Sequence, residues 1–368
     1  MKTRLPRRNR RSGVPMPRLE CRAGSDSPLL SLLLCWAILG PAAAVWGAGA
    51  EAGATLSRAA ASAAPIMQAR QDPGGGWIEL SESGKPVLRY NYQTVEPGDV
   101  LDKVTPANRI YARARSDYIH PLYGLNGEVL TRDWPADHPH HRGIYWAWPE
   151  VDYGKERGDL HALQKVFARP AGAFRLQNGP DFAQVEAENL WWWEDREAIV
   201  REQASIRAHR ATGEERVIDL VFRFAALKDG VALARRGMDH YGGLSLRLAK
   251  PAAQEIVVHT GPSNAVPRRA WSDLSGVFGE DGTVSGLTVL QHQQNPDYPG
   301  DWDQHAKLSW CQPTFPAAGT RYALQPGKPL VLRYRLIVHA GAKPKEDEAA
   351  KSWDVFQAST AALPAFSQ

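Results

Sequence analysis

Asp137-His138-Pro139-His140-His141-Arg142-Gly143 places three imidazoles within four residues, just ahead of the aromatic run Ile144-Tyr145-Trp146-Ala147-Trp148. Imidazole ligates metals and moves protons near neutral pH, and an indole offers a flat apolar face to a sugar ring. Three of the chain's eleven histidines fall in this one turn, which marks it as the floor of a site. Two readings stand side by side: a ligand or acid/base cluster, or a loop whose imidazoles bond to the backbone. On an extended chain His138 and His140 face the same side, a spacing that suits chelation of a divalent metal. His140 and His141 could serve as base and acid. Arg142 presents a planar fork to a carboxylate or phosphate-like group, and Glu150 is the nearest carboxylate able to act as a partner acid.

Three other groups could join them. His120 lies in Tyr118-Ile119-His120-Pro121-Leu122, where a satisfied core histidine and a functional one are equally consistent with its apolar neighbours. Asp239-His240 sits on a glycine-flanked turn, so a carboxylate could orient an imidazole there, although adjacent strand residues point to opposite faces. The polar stretch from Gln291 to Trp302 offers His292, Asn295 and Trp302. Trp146, Trp148 and Trp302 are the candidate stacking platforms.

The elements that must position these groups read as strands. Ile218, Leu220, Phe222 and Phe224 alternate with Asp219 and Arg223, and the same period of two recurs at Leu88-Tyr90-Tyr92, Leu244-Leu246-Leu248 and Leu330 to Val338. Turn residues such as Asn178-Gly179-Pro180 and Lys228-Asp229-Gly230 separate the runs. Helical spacing is confined to a short turn around Leu160–Val166 and to Lys345–Phe356. The expected fold is all-β, a large antiparallel two-sheet sandwich with few helices.

A basic leader, an uncharged apolar run from Leu29 to Gly40 and Ala48-Gly49-Ala50 follow one another in the order of an export signal. The expected organisation is an export signal over 1–50, a flexible linker over 51–76, the sandwich over 77–342 and a C-terminal helix and tail over 343–368. The expected destination is the periplasm or the exterior, with an uncleaved N-terminal anchor as the other outcome. Residues 1–66 hold nine Lys/Arg against three acids, so they carry +6 of a net +4 and leave −2 for the rest. The basicity therefore belongs to the leader, and no nucleic-acid surface is expected. Beyond the leader no segment is apolar for long enough to span a bilayer, and Cys311 stands alone, without a partner for a disulfide. There is no GxGxxG at a strand–helix junction, no P-loop and no GxSxG, so nucleotide chemistry and serine hydrolysis have no support.

Ser116-Asp117-Tyr118-Ile119-His120-Pro121-Leu122-Tyr123, the His-Pro-His-His-Arg-Gly turn, Tyr241-Gly242-Gly243-Leu244 and Tyr334 to Gly341 resemble the bacterial family catalogued as "methane oxygenase PmoA-like" over roughly residues 77–342. The resemblance implies a secreted β-sandwich in the style of the galactose-mutarotase-like supersandwiches. It carries His120, His140, His141 and Arg142 over directly. The expected function is an exported carbohydrate-active enzyme, a hydrolase or lyase acting on a glycoside, with a divalent metal as its candidate cofactor. A non-catalytic carbohydrate-binding sandwich is the alternative, and a metal-dependent oxidoreductase, in line with the family label, is the third.

Overall fold

Strands that alternate apolar and polar side chains must bury one face, and here two eight-stranded antiparallel sheets bury theirs against each other. The computed structural model describes residues 66–359; the leader, the apolar run and most of the linker stretch lie outside the described residues. The first sheet runs, in spatial order, Met67–Asp72, Trp77–Glu82, Lys85–Asn91, Tyr118–Leu122, Ile144–Trp146, Leu244–Arg247, Trp310–Pro313 and Trp302–His305. The second runs Ala252–Thr260, Ala270–Val277, Val284–Gln291, Leu330–Ala340, Glu215–Ala226, Glu197–His209, Phe182–Trp193 and Val166–Gln177. A four-stranded sheet of Tyr322–Leu324, Val231–Ala234, Glu150–Tyr153 and Glu156–Gly158 completes the body. Met67–Asp72, inside the stretch read as a linker, is a strand that pairs in full register with Trp77–Glu82.

The alternating residues fill the space between the sheets. Ile218, Leu220 and Phe224 are completely buried with Leu332, Leu336 and Val338 from the neighbouring strand, against Ile78, Leu80 and Leu88 of the other sheet. Trp146 and Trp148 belong to this core as well. Their rings stack 4.6 Å apart at an angle of 1°, edge-on to Phe224, and Trp148 Nε1 donates to the Phe315 carbonyl at 2.8 Å. They are therefore not sugar platforms, because nothing can reach their faces.

A single α-helix among the described residues, Glu346–Ala358, covers the outer face of the second sheet. Ala349, Trp353 and Phe356 pack onto Trp271, Leu290 and Ile337. No described helix is long and apolar enough to cross a membrane.

A pair of carboxyl groups is sealed inside. Asp117 Oδ1 accepts from Tyr90 Oη and Asn189 Nδ2, both at 2.9 Å, and Glu202 Oε2 accepts from Trp191 Nε1 at 2.7 Å. The two carboxyls bond to each other, and desolvation raises both above the usual carboxylate range, Glu202 strongly so. A shared proton is the arrangement that burial favours.

Two outcomes follow. Trp148→Ala should cost about 3–5 kcal/mol, as a large buried ring does, seen as a lower chemical-denaturation midpoint; an unchanged midpoint would place the ring outside the core. A carboxyl whose pKa is raised by folding takes up a proton on folding, so its stability is fully present below the unfolded value of about 4.3 and is lost as pH rises through the folded one. Glu202→Gln needs no such proton, so its unfolding free energy relative to wild type should climb as pH rises above about 4.3, by up to about 1.4 kcal/mol per pH unit until the folded carboxyl ionises. A constant difference across that range would show that no proton is held.

Candidate functional site

The histidine turn is built by two short backbone closures, His138 N to Pro135 O at 3.1 Å and His141 N to His138 O at 2.9 Å. His138 and His140 therefore lie on a turn and not on a strand. Gly143 then hands the chain to Ile144–Trp146. Its φ is +64°, and a Cβ there would lie 2.2 Å from the Ile119 carbonyl oxygen, so only glycine fits. Beyond it the strand has two faces. Ile144 and Trp146 point into the core, whereas Tyr145 points outward beside Tyr118. On the neighbouring strand Ser245 and Arg247 share the outward side, opposite Tyr145 and Trp310 in register. The candidate site stands on this outer face of the first sheet.

Three imidazoles converge there. His140, His141 and His161 each offer a ring nitrogen, and these nitrogens all lie within 4.8 Å of one another. The ring centroids are 4.7 Å apart for His140–His141, 4.5 Å for His140–His161 and 5.2 Å for His141–His161. His161 Nδ1 lies 3.2 Å from Tyr145 Oη. A proton on Nδ1 donated to that oxygen leaves Nε2 with a free lone pair, the usual way a ligating imidazole is oriented. His140 Nδ1 is buried without a hydrogen-bond partner among the described residues. Arg247 Nη1 approaches His141 Nδ1 at 3.5 Å, the outer limit of a hydrogen bond.

His161 is held by its backbone. Arg115 Nη2 donates to the carbonyls of Leu160 at 2.8 Å and His161 at 2.6 Å, and Asp159 Oδ1 accepts from Ala162 N at 2.7 Å. Arg115 also lies over the Tyr145 ring, 4.6 Å from its centroid. Tyr241 and Trp310 wall the triad, with centroids 5.3 Å from His161 and 5.3 Å from His141 respectively. Tyr111 approaches His140 from the other side at 5.4 Å.

Electrostatics keep all three imidazoles neutral. Desolvation is the largest cause for each, followed by the other imidazoles and the positive charges of Arg115, Arg236 and Arg247; His140 falls to about 3, and His141 and His161 well below the usual value. The nearby carboxylates are already engaged, Asp137 with Arg247 at 3.2 Å and Asp159 with Arg236 at 3.0 Å. The donor set is thus three uncharged nitrogens. Three imidazoles with further positions open is the pattern of catalytic zinc and copper centres.

Several residues singled out from the sequence lie elsewhere. His138 is absent from the converging set: it sits at the rim, 40% exposed in its side chain, beside Asp137 at 3.2 Å. The nitrogens that converge are those of His140, His141 and His161, and not of the expected pair His138 and His140. Arg142 is fully buried. Its Nε and Nη2 are bound to the Asp133 carboxylate and Tyr118 Oη, its guanidinium lies 3.6 Å from the Trp134 ring centroid, and only Nη1 has no hydrogen-bond partner among the described residues; it is not part of the converging set. His120 stands near that pair, with Nδ1 2.9 Å from Thr131 Oγ1, and burial lowers its pKa. Glu150 is locked between Arg321, Arg157 and the Gly237 amide, which hold its carboxyl below the ordinary range despite its desolvation; it is no partner acid.

His240 is solvent-exposed beside Asp239, whereas its neighbour Tyr241 reaches the triad. His292 is buried against Phe356 of the helix and accepts from Gln294 N at 3.1 Å. Asn295 bonds both backbone groups of Arg333, at 2.8 and 2.9 Å. Trp302 packs against the core between the sheets. None of His292, Asn295 and Trp302 is among the residues placed at the triad. His161, Arg115, Tyr241, Trp310 and Arg247 were given no role at the site, and the local signal for His161 was a histidine interrupting Leu160 and Ala162.

No curated protein matches the chain. The family model that does match is not a methane oxygenase PmoA-like one, and that resemblance is corrected accordingly. Residues 78–354 match the model described as a family of unknown function, DUF6807, a span that takes in every residue of the triad and its walls. With three quarters of its length matched, the chain belongs to the family of unknown function DUF6807.

Proposed function

We propose that this protein is an exported hydrolase or lyase acting on a glycoside, and that His140, His141 and His161 hold a divalent transition metal at its centre. The observation that carries the reading is the convergence of ring nitrogens from three neutral imidazoles within 4.8 Å of one another. Ligands about 2.0 Å from a zinc ion are about 3.3 Å apart in a tetrahedral site, so ligation draws the rings slightly together. It also costs His141 only its long contact from Arg247. A metal held this way would polarise a glycosidic oxygen or lower the pKa of a bound water. Tyr111 and Tyr241, both half-buried at the edge of the cluster, are the surfaces on which a sugar ring would rest. An all-nitrogen set also suits copper, which supports the oxidoreductase reading, so the identity of the metal decides between them.

Purified protein should carry or take up one equivalent of metal, measured by mass spectrometry after dialysis against chelator and reloading. His141→Ala and His161→Ala should each lower metal affinity by at least about 100-fold, since each removes one of three ligands. His138→Ala should retain it. On a panel of glycosides, including oxidised ones, reloaded wild type should turn over a substrate that the two ligand variants leave intact. Metal-independent retention of polysaccharide with no turnover would favour the binding sandwich, and redox turnover with copper the oxidoreductase.

A further inference from the structure

The triad stands among positive groups. Arg115, Arg236 and Arg247 all act on its imidazoles; Asp137 pairs with Arg247, Asp159 with Arg236, and Asp117 of the buried carboxyl pair acts on Arg115. The carboxylates offset the guanidinium groups one for one, and a divalent ion held by three neutral nitrogens would add two positive charges. No carboxylate belongs to the converging donor set, so the protein itself does not neutralise that charge. Two of the arginines are sealed in: Arg115 and Arg247 are 3% and 6% exposed and bonded to carbonyls and to Asp137. Arg236 differs. Its side chain is 46% exposed, Nε bonds Tyr241 Oη at 3.2 Å, Nη2 bonds Asp159 at 3.0 Å, and Nη1 has no hydrogen bond among the described residues. It is therefore held in position by two contacts, with one edge turned to solvent beside the ring that walls the triad.

We infer that the substrate carries an anionic group, a carboxylate or a sulfate ester on the sugar, and that Arg236 receives it next to the triad. This deepens the proposed function and rests on it for the sugar and for the metal. A neutral glycoside leaves the ion's charge uncompensated, whereas an anionic one pairs it in a half-desolvated setting where charge-assisted bonds are strong. A planar carboxylate matches the open edge of the guanidinium in shape, and a sulfate ester matches it in charge.

The test titrates glucuronate, glucose 6-sulfate and glucose into the full chain, both loaded with Co²⁺ and stripped by chelator. Tryptophan fluorescence reports binding, because Trp310 adjoins the site, and the cobalt absorption band reports the metal. One of the two anions should bind at least about tenfold more tightly than glucose, with an affinity that falls as salt is added. Arg236→Gln should lose about tenfold for that anion while taking up cobalt as wild type does. Whichever anion binds identifies the source of the charge. Equal affinity for glucose and both anions, or no binding of any of them, overturns the inference, and neither result needs the variant to fold. An Arg236→Gln protein that melts as wild type and keeps full anion affinity also overturns it. Anion preference without cobalt uptake upholds the anionic substrate and removes the metal reading; cobalt uptake without preference does the reverse.

Discussion

Three imidazoles can share one desolvated, arginine-flanked spot only while all of them are uncharged. That constraint governs everything around His140, His141 and His161. A proton on any one ring would be repelled by the other two and by Arg115, Arg236 and Arg247, which is why all three are held neutral. Neutral rings present lone pairs, and an unpartnered buried nitrogen such as His140 Nδ1 forfeits a desolvation cost of about 1–3 kcal/mol.

The positions of the three rings depend on backbone more than on side-chain contacts. Gly143, pressed against the Ile119 carbonyl, lets the turn carrying His140 and His141 lie flat on the strand pair beneath it. Arg115 grips the carbonyls on either side of the Leu160–His161 peptide unit, and the amides of both residues bond to the Trp148 carbonyl. Since Trp148 is itself packed in the core against Trp146 and Phe224, His161 is tied to the interior of the sandwich. Catalytic groups held by rigid elements keep their geometry without substrate.

The strands were legible because alternation is a local property: the inward set Ile218, Leu220, Phe222 and Phe224 needs only its own segment to declare a face. The helix Glu346–Ala358 was legible for the same reason. His140 and His141 could be found by their density. His161 could not, because one histidine between Leu160 and Ala162 gains meaning only when a segment twenty residues away is folded over it. Glu150 misled because its partner Arg321 is remote in sequence. Arg142 misled for a similar reason, since its partner Asp133 meets it only once the turn between them has closed.

Parity explains the tryptophans, and it is the deeper lesson of this strand. In Tyr145-Trp146 two aromatic rings stand side by side, and nothing in either ring says which faces the site. Strand pairing decides it: Trp146 faces the second sheet and is enclosed by Phe222 and Phe224, leaving Tyr145 on the outside with His161 and Arg115. A shift of one residue would exchange the two and move the whole core set to the outer face. The register that buries Trp146 is thus the same register that delivers Tyr145 Oη to His161. Stability and site geometry are set by one pairing, Leu244 to Trp146 and Ser245 to Tyr145, so neither could drift in evolution without the other.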